Sequence, residues 1–193
     1  MLVGHSLGGT LALAFAADHS DRISGVVAVD GLSVFPGTER MTGDRNALGA
    51  NMRAQIAGLN AEQFAASQQA YMKQIGSIDE KTAMTLAGHS SRSDPGATAE
   101  FAGQLMALDL RPKLGGIKVP VVEISPFYAP DLAAMGVDEN GKTAYYRMLL
   151  SGIEKLDVVS IAPARHFVMF DQPEKFAAAL DRALLTMFES RTK

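Results

Sequence analysis

The stretch Gly4-His5-Ser6-Leu7-Gly8-Gly9, written GHSLGG, decides the fold of this chain. Apolar residues 1–3 precede it, and residues 10–19 after it have the apolar character of a buried helix. A serine with a glycine two residues away on each side matches G-x-S-x-G, a tight strand-to-helix turn that exposes the hydroxyl. The pattern predicts that Ser6 is a nucleophile, and the alternative is a helix N-cap serine with no chemistry.

Short apolar runs rich in β-branched residues recur along the chain, at residues 26–29, 119–124 and 158–161. Runs of this kind are typical of strands that are buried on both faces of a sheet. Helical periodicity occurs at 145–156 and 173–188. Strands that alternate with helices predict an α/β fold, in which helices flank a mostly parallel sheet.

Residues 35–112 interrupt this alternation with a long segment that has no good strand pattern. The segment contains several helix starts: Asn60 with Gln63 three positions later, Asp79, and Asp94 followed by Pro95. We therefore expect one domain over residues 1–193, with a helical lid inserted at 35–112.

The composition narrows the classes of function. A net charge of −3 gives no reason to expect nucleic acid or a membrane surface as partner, so a small-molecule substrate is expected, and a homodimer stays open. The chain has no cysteine, which excludes disulfides and a cysteine nucleophile and suits the cytoplasm. Neither metal-ligand spacing nor a phosphate-binding loop is present in the sequence, so we expect no metal and no cofactor.

A nucleophilic serine needs a base that accepts its proton, and the chain offers four histidines. His5 lies inside the serine turn, His19 at the far end of the following helix, and His89 in the inserted segment. His166 follows the last predicted strand, at the sheet edge where open α/β sheets place their catalytic groups. We expect His166 to be the base.

Together, GHSLGG with its helix and RHFVMFDQPEKF (165–176) resemble two motifs of the α/β-hydrolase family, and DLRPKLGGIKVPVV (109–122) is similar to the return from a lid in that family. The resemblance covers nearly the whole chain but begins at what would be the fifth strand of the fold. It implies the C-terminal part of a hydrolase domain whose earlier strands are missing.

The resemblance also implies a third catalytic group, a carboxylate that orients the histidine. Asp131 is the first choice, because it lies in the loop that usually carries the acid, although it lies farther beyond its strand than is common. Asp30 is the alternative, because it ends the strand after the serine helix, a position that some members use.

The remaining expectations concern substrate binding. The backbone N–H of Leu7 is expected to donate to the oxyanion, with a second donor from a loop that would precede Met1. His5, Phe127 and Tyr128 are expected to line the substrate pocket. The predicted function is a serine hydrolase that cleaves an ester, thioester, lactone or amide through an acyl-enzyme. The alternative is a non-catalytic, truncated hydrolase fold that binds a small apolar ligand under the lid.

Overall fold

The computed structural model describes residues 1–189 and divides the chain into two compact units. The sheet unit comprises Met1–Ser33 and the chain from Leu110 onward, and the helical unit comprises Val34–Asp109. Numbered along the chain, the helices are α1 (Leu7–His19), α2 (Arg45–Ala57), α3 (Ala61–Tyr71), α4 (Glu80–Ser90), α5 (Pro95–Ala107), α6 (Ala129–Leu132), α7 (Glu139–Leu149), α8 (Val168–Asp171) and α9 (Pro173–Glu189).

Parallel strands form the sheet of the first unit. In the described part of the chain they lie in sequence order: β1 (Leu2–His5), β2 (Val26–Val29), β3 (Val121–Pro126) and β4 (Leu156–Ile161). In this register Val29 lies opposite Ile124, and Ile124 opposite Val159. The carboxyl ends of the strands therefore meet at one edge, and the predicted α/β class with helices around a parallel sheet is confirmed.

The two faces of the sheet have different contents. On one face, Val27, Val122 and Ile124 belong to a buried apolar cluster that α9 completes with Ala183 and Met187. Side chains alternate along a strand, so Glu123 points to the other face, where Gly9 of α1 approaches the side chain of Ala28 on β2. That face therefore holds a buried carboxyl group, and the buried hydroxyl of Ser125 lies two residues further along the same strand.

The chain leaves the sheet unit and returns to it at a single point. The Leu110 N–H donates to the Ser33 carbonyl over 2.7 Å, and the Ser33 hydroxyl donates to the Leu149 carbonyl over 2.6 Å. The residues on either side of the helical unit are thus hydrogen-bonded to each other within the sheet unit.

In the helical unit, side-chain caps define the helix starts. Asp44, Asp79 and Asp94 each accept a hydrogen bond from the first turn of a helix, and Asn60 forms a reciprocal capping box with Gln63. A π-helical turn, Met72–Gly76, extends α3. The role of a lid that the sequence suggests for residues 35–112 stays a prediction.

Within residues 1–189, the helices are too short or too polar to cross a membrane.

Candidate active site

Ser6 occupies the turn between β1 and α1 with a strained backbone. Its φ of 54° and ψ of −123° lie where non-glycine residues are rare, and its N–H donates to the Val29 carbonyl over 2.8 Å. The Ser6 side chain makes no capping hydrogen bond to α1. The hydroxyl therefore does not serve the helix, and strain of this kind is typical of functional turns.

Gly4 allows the turn to close. A Cβ atom built on Gly4 would lie 2.2 Å from the Gly8 carbonyl oxygen, a distance that no side chain tolerates. The strand can therefore approach the start of α1 only because residue 4 has no side chain.

His166 and Asp30 meet at the carboxyl edge of the sheet. His166 Nδ1 lies 2.5 Å from Asp30 Oδ2, and the two side chains are only 10% and 14% exposed. Asp30 follows β2 directly and has a φ of 49°. Since a carboxylate accepts, Nδ1 carries the proton of the neutral ring, and Nε2 keeps its lone pair for a hydroxyl proton.

Asp30 is held from a second side as well. The Tyr146 hydroxyl on α7 donates to Asp30 Oδ1. Burial raises the pKa of Asp30, but the hydrogen bond and charge of His166, the charge of Lys142 and the Tyr146 hydroxyl outweigh burial and lower the pKa below its usual value. Asp30 is therefore ionised at neutral pH.

His5 is in direct contact with His166. Its Nε2 lies 2.9 Å from the His166 carbonyl oxygen, and the two imidazole rings are 4.5 Å apart. Burial, followed by the neighbouring His166, lowers the pKa of His5. A neutral His5 that donates through Nε2 thus fixes the backbone of the loop that carries His166.

Asp131, the first-choice acid, has a different partner. Arg165 holds its carboxylate with two hydrogen bonds, from Nε over 2.7 Å and from Nη2 over 2.6 Å. The Arg165 guanidinium also lies 5.0 Å from the centre of the Tyr128 ring. Asp131 therefore links α6 to Arg165, the residue before His166, whereas the carboxylate that contacts the His166 ring is that of Asp30, the alternative acid.

Phe127, expected in the substrate pocket, is buried at the end of β3. Its backbone pairs with Ile161 and Ala164 across the edge of the sheet, over 2.9 and 2.8 Å. Tyr128 next to it is half-buried under Arg165, and the role of both residues in a substrate pocket stays a prediction.

Sequence reasoning missed the groups that surround Asp30 on α7 and β3. Tyr146 reads in the sequence as one member of an apolar helical stripe, and nothing local marks its hydroxyl. Lys142 donates to the Pro126 carbonyl and lies 5.3 Å from the centre of the Tyr146 ring. Glu123 is the one of these groups that the sequence marks, because it is a lone acidic residue inside an apolar strand.

The site contains the two groups that nucleophilic catalysis by serine requires, a serine hydroxyl and a histidine ring. No hydrogen bond joins Ser6 to His166 in the described residues, and catalytic hydrogen bonds are often long or misaligned before substrate binds. The Leu7 N–H opens α1, where the first amides of a helix have no helical partner. Across residues 1–189, no group of three or more His, Asp or Glu side chains could hold a metal ion.

A parallel α/β sheet with a strained serine turn and a histidine–aspartate pair at its carboxyl edge defines a hydrolase-type fold. The chain belongs to the alpha/beta hydrolase family, which matches residues 1–179. No curated protein matches it.

Solved structures share the fold at low sequence identity. An enol-lactonase from Burkholderia xenovorans is 21% identical with a TM-score of 0.72, over 95% of this chain and 64% of that one. A hydrolase from Pseudomonas aeruginosa is 19% identical with a TM-score of 0.70, over 94% and 63%. A thermophilic esterase from Thermogutta terrifontis is 19% identical with a TM-score of 0.64, over 96% and 64%. The chain thus spans just under two thirds of the length of these relatives.

Proposed function

We propose that this protein is a serine hydrolase that cleaves an ester, thioester, lactone or amide, with Ser6, His166 and Asp30 as its catalytic residues. The observation that carries the proposal is the 2.5 Å contact between His166 and Asp30 at the same sheet edge as the strained Ser6 turn. Family membership supports hydrolysis in general, and the lactonase and esterase among the structural relatives support an acyl substrate.

The reaction follows from the roles of these three groups. Ser6 Oγ attacks the acyl carbon while His166 Nε2 takes the hydroxyl proton, and Asp30 stabilises the resulting imidazolium. The Leu7 N–H stabilises the negative oxygen of the tetrahedral intermediate. His166 gives its proton to the leaving group, and a water molecule activated by His166 then releases the acid from Ser6 and regenerates the hydroxyl.

Asp30 is the proposed acid in preference to Asp131. The Asp30 carboxylate is ionised and faces the His166 ring, whereas the Asp131 carboxylate is neutralised by Arg165. We propose that Asp131 supports the site indirectly, because Arg165 precedes His166 in the same loop.

The experiment is intact-mass labelling of the purified chain with a fluorophosphonate, which reacts preferentially with an activated serine. We expect one adduct on the wild type and none on Ser6→Ala. Asp30→Asn should slow labelling by about 10³ to 10⁴, the loss typical of removing a triad acid. Asp131→Asn, the matched control, should slow it by less than about tenfold, because its carboxylate does not contact the histidine.

Two outcomes would contradict the proposal. An adduct that persists in Ser6→Ala would mean that another residue reacts. A slower rate in Asp131→Asn than in Asp30→Asn would restore Asp131 as the acid.

A further inference from the structure

Both oxygens of the Asp30 carboxylate have a partner, and the two partners lie on different elements. Oδ2 contacts His166, in the loop after β4, and Oδ1 accepts the hydroxyl of Tyr146, on α7. We infer that Tyr146 is a positioning residue, whose hydroxyl sets the rotation of the Asp30 carboxylate and thereby the orientation of His166. The effect of Tyr146 on catalysis rests on the proposed function, whereas the two hydrogen bonds to Asp30 do not depend on it.

The backbone of Asp30 is already fixed, so only its side chain remains to be oriented. The Asp30 N–H donates to the Ile124 carbonyl over 2.9 Å, and its φ of 49° is set by the turn after β2. The carboxylate can still rotate about the bonds to Cβ and Cγ. A second hydrogen bond to Oδ1 removes this freedom, which a single bond to Oδ2 would leave.

Tyr146 is well suited to hold the carboxylate. Its side chain is 5% exposed, and burial, followed by the charge of Asp30, raises the pKa of the phenol well above its usual value. The hydroxyl therefore remains a donor at every working pH. Lys142, one helical turn earlier, donates to the Pro126 carbonyl and so fastens α7 to the end of β3.

Charged and titratable groups face Asp30 from every side. They are His5 on β1, Glu123 on β3, Lys142 and Tyr146 on α7, and His166 after β4. Of these, His166 and Tyr146 hydrogen-bond to the carboxylate. Tyr146→Phe leaves every formal charge in this set unchanged, so it tests the hydrogen bond alone.

The direction of the effect follows from the number of donors to Asp30. A carboxylate that loses a donor is more basic and holds an adjacent imidazolium more strongly. Without the Tyr146 hydroxyl, His166 should therefore keep its proton to higher pH. The same loss lets the carboxylate rotate, so the rate should fall while substrate binding is retained.

The test is an NMR titration of the His166 ring, assigned with His166→Asn, in the full chain and in Tyr146→Phe. We expect the titration midpoint to rise by about half a pH unit in Tyr146→Phe. The neighbouring Tyr145→Phe removes a phenol from the same helix and should leave the midpoint in place. On an ester substrate, kcat of Tyr146→Phe should fall about tenfold to a hundredfold, as for a lost hydrogen bond to a charged group, with little change in KM.

A second measurement avoids any folding defect of the variant. Biosynthetic replacement of the four tyrosines by 3-fluorotyrosine makes the phenol a stronger donor and should move the midpoint to lower pH. An unmoved midpoint in both experiments, or an equal shift in Tyr145→Phe, overturns the inference. A wild type that takes no fluorophosphonate but shows these shifts would refute the proposed hydrolysis while supporting the role of Tyr146.

Discussion

Glu123 is an ionisable residue in a fully buried position. Glu123 lies on β3 with no exposed surface. Its carboxyl oxygens have no hydrogen-bond partner of normal geometry. The nearby N–H groups of Asp30 and Gly31 lower its pKa, but only by a minor amount compared with the effect of burial. Burial, followed by the negative charge of Asp30, raises the pKa of Glu123 well above its usual value. The buried position therefore favours the protonated, neutral form of the Glu123 carboxyl group.

This raised pKa makes the stability of the protein depend on pH. An unfolded chain releases the Glu123 proton once the pH exceeds about 4.3, whereas the folded protein keeps it up to a higher pH. Over that interval the folded state binds more protons, so the free energy of unfolding falls as pH rises.

Glu123→Gln should remove that dependence. We expect the variant to gain stability over the wild type between about pH 5 and pH 8, with a Tm rise of about 3 °C for each kcal/mol gained. Thermal denaturation at several pH values measures the difference, and Glu154→Gln on the exposed surface is the matched control. Parallel curves for Glu123→Gln and the wild type would show that Glu123 titrates normally.

At the same scale, the sequence can propose residues that lie in a motif, but it cannot decide a choice that depends on distances in the folded protein. The expectations for Ser6 and His166 rested on a local pattern and on a position after a strand. The choice between Asp30 and Asp131 could not be made this way, because both follow a strand end. The difference between them is Arg165, whose side chain reaches back to Asp131, and no spacing rule indicates that contact.

Among the elements, α2 and α5 approach each other more closely than side chains normally allow. A Cβ atom on Gly49 would lie 2.4 Å from the Gly103 carbonyl oxygen, and one on Gly103 would lie 2.8 Å from the Gly49 carbonyl oxygen. The two helix backbones are therefore in direct contact, and this contact joins the first and last helices of the helical unit.

Gly49→Ala should separate these helices and destabilise the protein by about 1–3 kcal/mol, as overpacking does. Gly88→Ala is the matched control, since a Cβ atom there meets nothing within 4 Å and α4 gains helix propensity of about 0.5–1 kcal/mol. Urea denaturation followed by circular dichroism should thus give changes of opposite sign. Changes of the same sign in the two variants would argue against close helix contact as the cause.

Element boundaries were predictable where a cap or a β-branched run marks them. The caps at Asn60, Asp79 and Asp94 begin α3, α4 and α5. The helix expected at 145–156 in fact begins at Glu139, behind the cap Asp138, and ends at Leu149. The apolar spacing continues past that end because Ile153 is also buried. Ile153 lies in the connection after α7, however, and is not helical.

For the whole molecule, the two units differ in what they contribute to the site. Ser6, Asp30 and His166 all belong to the sheet unit. The Leu110 N–H donates to the Ser33 carbonyl over 2.7 Å, which is the donor and acceptor pair that would close a β-turn if two residues joined them.

Replacement of Val34–Asp109 by a two-residue Asn-Gly turn should therefore leave the sheet unit folded. We expect the shortened protein to unfold cooperatively on heating and to retain fluorophosphonate labelling of Ser6, because the probe is small and the three proposed catalytic residues lie in the sheet unit. The same replacement with Ser6→Ala is the control for labelling. A folded but unlabelled protein would indicate that the helical unit is needed to assemble the nucleophile.

The hydrogen-bonded junction of Ser33 and Leu110 also has a consequence for the order in which the two units fold. Strands β2 and β3 must pair although the entire helical unit separates them in the chain, and closing a flexible loop of that length costs about 4 kcal/mol of entropy. The helical unit is compact by itself, so it can form early and bring its two ends together. The central strand pair would then dock as near neighbours, and we therefore expect the insertion to fold before the sheet.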